Sequence, residues 1–424
     1  MQLDQSQYVS SDGAQVRRSI YSDEAVYRRE LEEIFSKRWL LVGHESQLST
    51  KSSYFTSFMG EDPVVVTRGS DGKINVFLNA CSHRGARICL DDSGEASRLV
   101  CPYHAWTFAM DGQLVGVPLN NRLYGGLNKE AFGLKCVAQV EEMFGLIFAT
   151  FASDAPPLRD ELGGLIPFLE AIFARTPSGV TLVGKPQKWR VPTNWKVYSD
   201  NFAGDEYHVG STHGSAVETI GLDWDTYLRG IMHCALPGGH GFAGHFHFPD
   251  GVERPYTPVE QPDMLSPATQ AYYQSVVDKL DERVSPIHGR CQWVAGNVFP
   301  NWSLLPVFNT FRIAHPKGPG EIELWSYVYV DKEAPDDVRR ELSKFYNFNF
   351  GPAGIIEQDD SAVWESIYVS SKGQQGRDAI SHFHMGLGNE AWHEGLGCFV
   401  TDQLSEAAQR NFYKQWASAI GTRS

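Results

Sequence analysis

Short runs of apolar and polar residues dominate the chain from about Trp39 to Phe151. Residues 63–67 (Pro-Val-Val-Val-Thr) and 145–149 (Gly-Leu-Ile-Phe-Ala) are examples, and Gly and Asp turns separate such runs. Short β-rich runs bounded by turn residues are typical of strands. The pattern therefore predicts a small all-β domain over residues 39–155.

The rest of the chain shows a mixture of helical and strand-like patterns. Apolar residues recur at helical spacing over residues 22–38, after a polar segment, residues 1–20, that we expect to be poorly ordered. Residues 156–424 then predict one α+β domain with an antiparallel sheet covered by helices, so the whole chain is predicted to be α+β. The predicted helices of that region are 159–175, 195–213 with interruptions at Gly204 and Gly210, 336–350, 355–371 and 404–419, and its strands include 303–308, 310–314 and 323–330.

Composition narrows the class of protein. A chain of 424 residues with 42% hydrophobic and 21% charged residues matches a globular protein of two or three domains. The net charge of −14 argues against a nucleic-acid partner, because phosphate binding needs a basic face. We find no apolar run long enough for a membrane span and no secretory pattern, which favours a cytoplasmic location. The cysteines that we expect to be buried thiols in a reducing compartment are Cys89, Cys136, Cys234, Cys291 and Cys398.

Two short motifs carry the first chemical signal. One is C-x-H at Cys81 and His83, and the other is C-x2-H at Cys101 and His104. Two thiolates and two imidazoles suit a Rieske [2Fe–2S] cluster, in which the Cys pair binds one iron and the His pair binds the other. A structural zinc site is the alternative, but zinc fingers group their Cys and their His separately. We therefore predict a cluster that transfers single electrons.

A second metal site can be built from two distant segments. His208 and His213 are five residues apart, which on an ideal helix is a turn of about 140°, so the helix must loosen near Gly210 for both rings to meet. On their own they could equally be two ordinary polar histidines. Asp359 and Asp360 add a carboxylate on a helix entered through a Gly/Pro turn. Two His and one carboxylate form the facial triad of non-haem Fe(II) oxygenases.

With both motifs present, the sequence resembles the α subunit of Rieske non-haem iron aromatic-ring-hydroxylating dioxygenases, near the naphthalene, biphenyl and phenylpropionate dioxygenases. The resemblance covers nearly the whole chain. The segments that carry it are Trp39–Ser46, His83–Ala86, Asn194–Lys196, Val298–Asn301, Gly351–Gly354 and Glu357–Asp360.

The resemblance implies roles for individual residues. The implied ligands are Cys81, His83, Cys101 and His104 for the cluster and His208, His213 and Asp360 for the iron. Asp360 is preferred to Asp359 because it aligns with the second Asp of the family's pair. Two residues are implied to act in catalysis. Asn201 could reach the open side of the iron, and Asp205 is implied to hydrogen-bond His208 of its own subunit and His104 of the neighbouring subunit. Apart from the resemblance, the candidates for the substrate pocket, each of which could equally be an ordinary core residue, are Phe202, Val209, Trp224, Asn297, Leu305, Phe350 and Ile356.

Four further features have more than one interpretation. Ala105 stands where many relatives have Gly, and it would be strained there if its φ is positive. Arg84 and Arg87, beside the cluster motif, are candidates for guiding an acidic ferredoxin. Arginines that could pair with a substrate carboxylate are Arg190, Arg229 and Arg312. A further histidine group with a possible metal-binding role, or an ordinary structural one, is His240, His245 and His247.

The implied activity is the cis-dihydroxylation of an aromatic ring with O2. NADH would supply the electrons through a ferredoxin or a flavin reductase, because the chain has no dinucleotide-binding G-x-G-x-x-G motif. A β subunit is implied in an α3β3 assembly, or otherwise an α3 ring. The alternatives are a Rieske monooxygenase that hydroxylates an aromatic acid such as a salicylate-type substrate, and a Rieske electron carrier without an oxygenase site.

Overall fold

A computed structural model describes residues 8–221, 228, 230–245, 265–280, 284, 286–289, 291–401 and 403–421. The chain forms two compact units, one of residues 35–158 and one of residues 1–34 together with 159–424. The fold is α+β, as predicted. No helix of the described residues is long and apolar enough to cross a membrane.

The strands, numbered in chain order, are β1 (Gln15–Arg17), β2 (Leu40–His44), β3 (Ser53–Met59), β4 (Asp62–Arg68), β5 (Ile74–Leu78), β6 (Ser93–Glu95), β7 (Leu99–Val100), β8 (Thr107–Phe108), β9 (Leu114–Gly116), β10 (Gln139–Met143), β11 (Leu146–Thr150), β12 (Val180–Leu182), β13 (Gln187–Val191), β14 (Ile231–Leu236), β15 (His240–His245), β16 (Gln292–Val298), β17 (Trp302–Leu305), β18 (Thr310–Pro316), β19 (Ile322–Asp331), β20 (Ile380–His382), β21 (Ala391–His393) and β22 (Cys398–Thr401).

The α-helices are α1 (Glu24–Glu30), α2 (Asn120–Leu123), α3 (Leu158–Leu162), α4 (Ile166–Phe173), α5 (Trp195–Phe202), α6 (Val209–Thr212), α7 (Gly214–Ile220), α8 (Pro267–Asp278), α9 (Pro286–Gly289), α10 (Asp336–Phe350), α11 (Glu357–Lys372) and α12 (Ala407–Gly421).

The unit of residues 35–158 is built from three antiparallel sheets, as its short β-rich runs predict. Their strand orders are β10-β11-β2, β5-β4-β3-β6 and β7-β8-β9. The core between them contains Phe77, Leu99 and Phe108, and it also includes the side chains of Cys81 and Cys101. The cluster motifs therefore lie at the edge of a packed apolar core.

The other unit is organised around a ten-stranded antiparallel sheet with the order β12-β19-β18-β17-β16-β15-β14-β22-β21, and β13 also pairs with β19. A row of polar residues crosses its centre in register, and every member is at most 1% exposed. The row consists of Asn297, Ser303, Arg312 and Ser326. Three helices cover this face, because Tyr198 of α5, Tyr346 of α10 and Glu357 of α11 bond to Ser303, Ser326 and Arg312.

A buried charged network connects α1 to this helical layer. Glu30 accepts hydrogen bonds from Lys196 Nζ at 2.5 Å, Trp195 Nε1 at 2.7 Å and Trp416 Nε1 at 2.8 Å. The side chains of Glu30 and Lys196 are both fully buried. Burial lowers the pKa of Lys196, although Glu30 opposes that effect. This network holds the start of α5, and α5 leads directly to the predicted iron ligands.

The N-terminal prediction was wrong for residues 8–20. These residues include β1, which pairs with β20. Val16 and Ile20 are both buried in the hydrophobic core. Residues 1–7 lie outside the described part. The prediction for Cys136 was also wrong, because that thiol is exposed, whereas the other four expected buried thiols are buried.

The predicted helix 159–175 is interrupted, and the interruption predicted at Gly204 within 195–213 is present. The pattern over 159–175 forms α3 and α4 with a 3-10 turn, Gly163–Leu165, between them. The pattern over 195–213 ends as α5 at Phe202, and Gly204 then adopts a φ of +116°. A 3-10 turn, Glu206–His208, and the short α6 follow. The break lets His208 and His213 approach each other, which a continuous helix would not allow.

We expect Lys196→Met to destabilise the larger unit strongly. The substitution leaves the Glu30 carboxylate buried without its cation, and breaking one side of such a pair costs about 3–5 kcal/mol. A urea titration followed by tryptophan fluorescence measures the change. The matched control is Arg190→Gln, which breaks an exposed pair with Glu321 and should cost less than about 1 kcal/mol. Similar losses in the two variants would contradict the role given to Glu30.

Candidate metal centres

The two cluster motifs adopt matching loops after β5 and β7. Cys81 N donates to the carbonyl of Ala86 at 2.8 Å, and Cys101 N donates to that of Trp106 at 2.9 Å. In each loop the residue four positions after the Cys donates back to its carbonyl, Gly85 at 2.8 Å and Ala105 at 3.0 Å. Both of those residues have positive φ. The loops thus present two Cys–His pairs in the same way.

The side chains of these loops form a thiol pair and an imidazole pair. The pKa of Cys81 is raised by burial and by the sulfur of Cys101. The rings of His83 and His104 have centroids 4.6 Å apart, and His83 stacks on Trp106 at 4.7 Å. His83 Nδ1 is buried and has no hydrogen-bond partner among the described residues. This donor set fits a Rieske cluster, whose two irons take the sulfur and the nitrogen ligands separately.

The second site brings together three residues from two segments. His208 Nε2 lies 3.2 Å from Asp360 Oδ1 and 3.2 Å from His213 Nε2, and His213 Nε2 lies 3.1 Å from Asp360 Oδ1. A metal with bonds of about 2.1 Å at right angles needs ligand atoms about 3.0 Å apart. Among the described residues, these are the only three His, Cys, Asp or Glu residues whose ligand atoms all lie within 4.8 Å of one another.

The outer ring nitrogens of both histidines are occupied by acceptors. His208 Nδ1 donates to the backbone carbonyl of Asp205, and His213 Nδ1 lies 3.4 Å from Asp359 Oδ2. The Asp205 carboxylate is 3.7 Å from His208 Nδ1, so the carbonyl makes the closer contact. An Nδ1 that donates leaves the lone pair of Nε2 free to face the centre of the triangle. Asp360 therefore lies in the triad, and Asp359 lies behind it.

The electrostatics of the triad favour positive charge. Burial alone would lower the pKa of His208, but the carboxylates of Asp205 and Asp360 raise it to about 11, so a metal that binds at Nε2 must displace a proton from that nitrogen. Burial would raise the pKa of Asp360, but the two histidines outweigh it and hold that pKa below its usual value. A cation at the centre of the triangle would meet a negatively polarised, largely buried site.

Family comparisons agree with both centres. The Rieske [2Fe-2S] domain matches residues 38–138, and the ring hydroxylating alpha subunit (catalytic domain) matches residues 181–422. The chain is 36% identical to biphenyl 2,3-dioxygenase subunit alpha of Rhodococcus jostii (strain RHA1), over 94% of this chain and 87% of that protein. It is 34% identical to the large oxygenase component of the naphthalene 1,2-dioxygenase system of Pseudomonas aeruginosa, over 98% and 94%. A solved naphthalene 1,2-dioxygenase with indole in its active site superposes with a TM-score of 0.89 at 32% identity, over 98% and 94%.

The chain belongs to the ring-hydroxylating dioxygenase α-subunit family.

As a member of this family, the chain is an oxygenase with a Rieske [2Fe–2S] domain and a non-haem iron catalytic domain. O2 is the family's co-substrate, and NADH supplies electrons through partner proteins. The family's terminal oxygenases work with other subunits and electron-transfer partners. The zinc alternative and the simple electron carrier are therefore set aside, and the monooxygenase alternative is not favoured.

The two described arginines that were candidates for a substrate carboxylate are both paired. Arg312 is fully buried, and its Nη1 lies 2.7 Å from Glu357 Oε2. Arg190 is largely exposed and pairs with Glu321 at 3.0 Å. Arg229 lies outside the described residues. Arg312 is thus salt-bridged, which is the ordinary role that the sequence left open beside a substrate-binding one.

The predicted pocket residues are spread around the helical layer. Phe202 and Phe350 both lie against the Arg312 guanidinium, at 5.6 and 5.1 Å from its central carbon to the ring centroids. Asn297 and Leu305 are buried on β16 and β17 and share the sheet face that α5 covers. The other described members, at the starts of α6 and α11, are Val209 and Ile356. Trp224 lies outside the described residues.

The remaining histidine group gains no support as a metal site. His240 is buried, and its Nδ1 accepts the backbone N–H of Phe299 at 3.0 Å. His245 is buried at the end of the same strand. His247 lies outside the described residues. No group that contains His240 or His245 meets the ligand-spacing criterion within the described part of the chain.

Trp364, which no sequence pattern indicated, contacts Asn201 beside the triad. Its indole Nε1 donates to Asn201 Oδ1 at 3.1 Å, and the amide nitrogen of Asn201 lies 3.4 Å from both ring nitrogens of His208. Trp364 is one helical turn after Asp360 on α11, and that spacing places both side chains on one helix face. This spacing is the only local signal that could have indicated the tryptophan.

We expect Ala105→Gly to stabilise the 35–158 unit by about 1 kcal/mol. Ala105 has a φ of 55°, a left-handed conformation that is costly for residues with a Cβ and free for glycine. The change in the free energy of unfolding is measured by thermal denaturation. The control is Ala109→Gly, in which the alanine lies outside the positive-φ region, so the substitution should destabilise by about 0.5–1 kcal/mol. Equal destabilisation by the two variants would show that Ala105 is not strained.

Proposed function

We propose that His208, His213 and Asp360 bind one Fe(II), and that the Cys81–His83 and Cys101–His104 pairs bind the Rieske cluster. The observation that carries the proposal is the triangle of ligand atoms with sides of 3.1–3.2 Å. The three residues leave one side of the metal open, which is the arrangement of oxygenases that bind O2 and substrate together.

The bound iron would supply a place where O2 is reduced beside the substrate ring. Residues of this chain orient the side chains that would bind the iron. The Asp205 carbonyl and the Asp359 carboxylate hold the two imidazoles in the tautomer whose Nε2 lone pair faces inward. Asn201 lies at the edge of the triad, and Trp364 holds its amide.

We infer that the reaction is the cis-dihydroxylation of an uncharged aromatic ring. In this reaction the aromatic ring, O2, two electrons and two protons combine to give a cis-dihydrodiol. The relatives named above act on biphenyl and naphthalene, and the two described candidate arginines are both engaged in ion pairs. An apolar pocket suits such a guest. The residues proposed to line it are Phe202, Val209, Asn297, Leu305, Phe350 and Ile356.

The assembly belongs to the same proposal. The relatives are named as an alpha subunit and as a large oxygenase component of a system, which favours a β subunit in an α3β3 assembly, or otherwise an α3 ring. Asp205 is proposed to join His208 to His104 of the neighbouring subunit, since its carboxylate is 37% exposed. A ferredoxin or a flavin reductase would deliver the electrons. None of the seven cysteines, all of which are among the described residues, forms a disulfide, which suits the cytoplasm.

A single turnover tests the reaction. The reduced protein is mixed with labelled O2 and a panel of uncharged arenes and aromatic acids, and the products are analysed by mass spectrometry. We expect two labelled oxygen atoms in a cis-diol of an uncharged arene. One labelled atom in a phenol would instead assign the protein as a monooxygenase.

The two neighbouring aspartates provide a matched test of the iron site. We expect Asp360→Asn to lower the iron content from about three to about two per chain and to abolish turnover, because one ligand of the mononuclear site is lost. Asp359→Asn should keep nearly all of the iron, since Asp359 only contacts the outer nitrogen of His213, with activity reduced about 10–100-fold at most. Iron analysis and the visible spectrum of the cluster separate the two sites. Loss of iron in Asp359→Asn with retention in Asp360→Asn would reverse the assignment.

A further inference from the structure

The side-chain amide of Asn201 is held by a partner that can only donate. The indole Nε1–H of Trp364 lies 3.1 Å from Asn201 Oδ1. An indole has no acceptor, so the atom facing it must be the amide oxygen. The reverse orientation would place two N–H donors against each other at that distance. The contact therefore fixes which end of the amide faces the triad.

Trp364 is itself fixed in place. It is 2% exposed, and its ring packs edge-to-face against Tyr198 at 5.2 Å and against Phe202 at 5.9 Å, both of them on α5. Its backbone carbonyl accepts the hydroxyl of Thr193 at 3.0 Å. A buried indole held by two rings and the backbone cannot rotate to follow a flip of the Asn201 amide.

The nitrogen end of the amide faces the triad. Asn201 Nδ2 lies 3.4 Å from both ring nitrogens of His208, which are long contacts, and Nδ1 is a poor acceptor because it donates to the Asp205 carbonyl. Nδ2 carries two hydrogens, and among the described residues Nε2 of His208 is the one remaining acceptor that it contacts, so at least one amide hydrogen stays available. A hydrogen-bond donor therefore faces the reaction site.

We propose that Trp364 is a specificity-positioning residue, which holds the Asn201 amide so that the site offers an N–H donor to the substrate. The preferred substrate class is then an arene that carries a hydrogen-bond acceptor, such as an ether or carbonyl oxygen, near the reacting edge. An arene that carries only an N–H donor in that place meets a second donor and is disfavoured. This inference rests on the proposed function, since it needs an aromatic guest beside the triad.

Isosteric ligand pairs test this preference by binding alone. Benzofuran and indole differ by an oxygen acceptor against an N–H donor at one ring position, and dibenzofuran and carbazole differ in the same way. Dissociation constants are measured by calorimetry with the anaerobic holoenzyme, so that no turnover occurs. We expect the oxygen member of each pair to bind about 3–10-fold more tightly, the value of one hydrogen bond.

The variants assign the preference to Trp364. Trp364→Phe keeps an aromatic ring but removes the N–H, so the amide can flip and the preference should fall to less than about twofold. Asn201→Leu should also abolish it. The matched control is Trp39→Phe, which removes a buried indole N–H that donates to the Pro156 carbonyl at 2.7 Å in the other unit, and it should leave the preference unchanged. Iron content should be that of the unmodified enzyme in every variant.

Each outcome distinguishes this inference from the proposed function. Equal binding of the two members of a pair, or tighter binding of the N–H member, would overturn the inference while leaving the oxygenase assignment intact. A preference that persists in Trp364→Phe would overturn the role of the tryptophan. If none of the four ligands bound, the aromatic substrate of the proposed function would fail, and the inference would fail with it.

Discussion

The buried ion pair between Arg312 and Glu357 is the interaction on which the catalytic site depends most. Arg312 lies in the central polar row of the sheet, and Glu357 begins α11, one turn before Asp360. Arg312 Nη2 also donates to the carbonyl of Phe350 at the end of α10 at 2.8 Å. One guanidinium thus fixes the connection between two helices and the starting point of the helix that carries the triad carboxylate. Burial raises the pKa of Glu357 to about 7 despite the opposing charge of Arg312, which shows how costly an unpaired charge would be here.

The two histidines of the triad can approach each other only because the helix before them is interrupted. The network around Glu30 and Lys196 anchors the start of α5, and the helix ends at Phe202 before a glycine with positive φ. A continuous helix would direct His208 and His213 to different faces. The 3-10 turn before α6 turns both imidazoles to the same side. The anchored helix α5 thus supports the site, and the irregular segment after it bears the two histidine ligands. Rigid support on one side of an irregular segment is a common way to position metal ligands.

The parts of the fold and site that sequence predicted are those with a local signature. The Cys–His spacings indicated both halves of the cluster motif, and the short β-rich runs between turn residues predicted the small all-β unit. The residues His208, His213 and Asp360, nominated from motifs, are the residues that the fold brings within 3.2 Å of one another. Pairs that join distant segments left no such signature. The role of Arg312 stayed open because Glu357 is not near it in sequence, and Trp364 was missed because its partner Asn201 lies on another helix.

The side chains around the triad have one property in common, which concerns their hydrogen-bond partners. Each group that could adopt two orientations contacts a partner with a single hydrogen-bonding role. His208 Nδ1 meets a backbone carbonyl, which can only accept, and His213 Nδ1 meets a carboxylate, which also accepts. The Asn201 amide meets an indole, which can only donate. Because none of these partners can reverse its role, the tautomers and the amide orientation are fixed before any substrate arrives. The polarity that a guest encounters is therefore a property of the fold, and it does not have to be induced by binding.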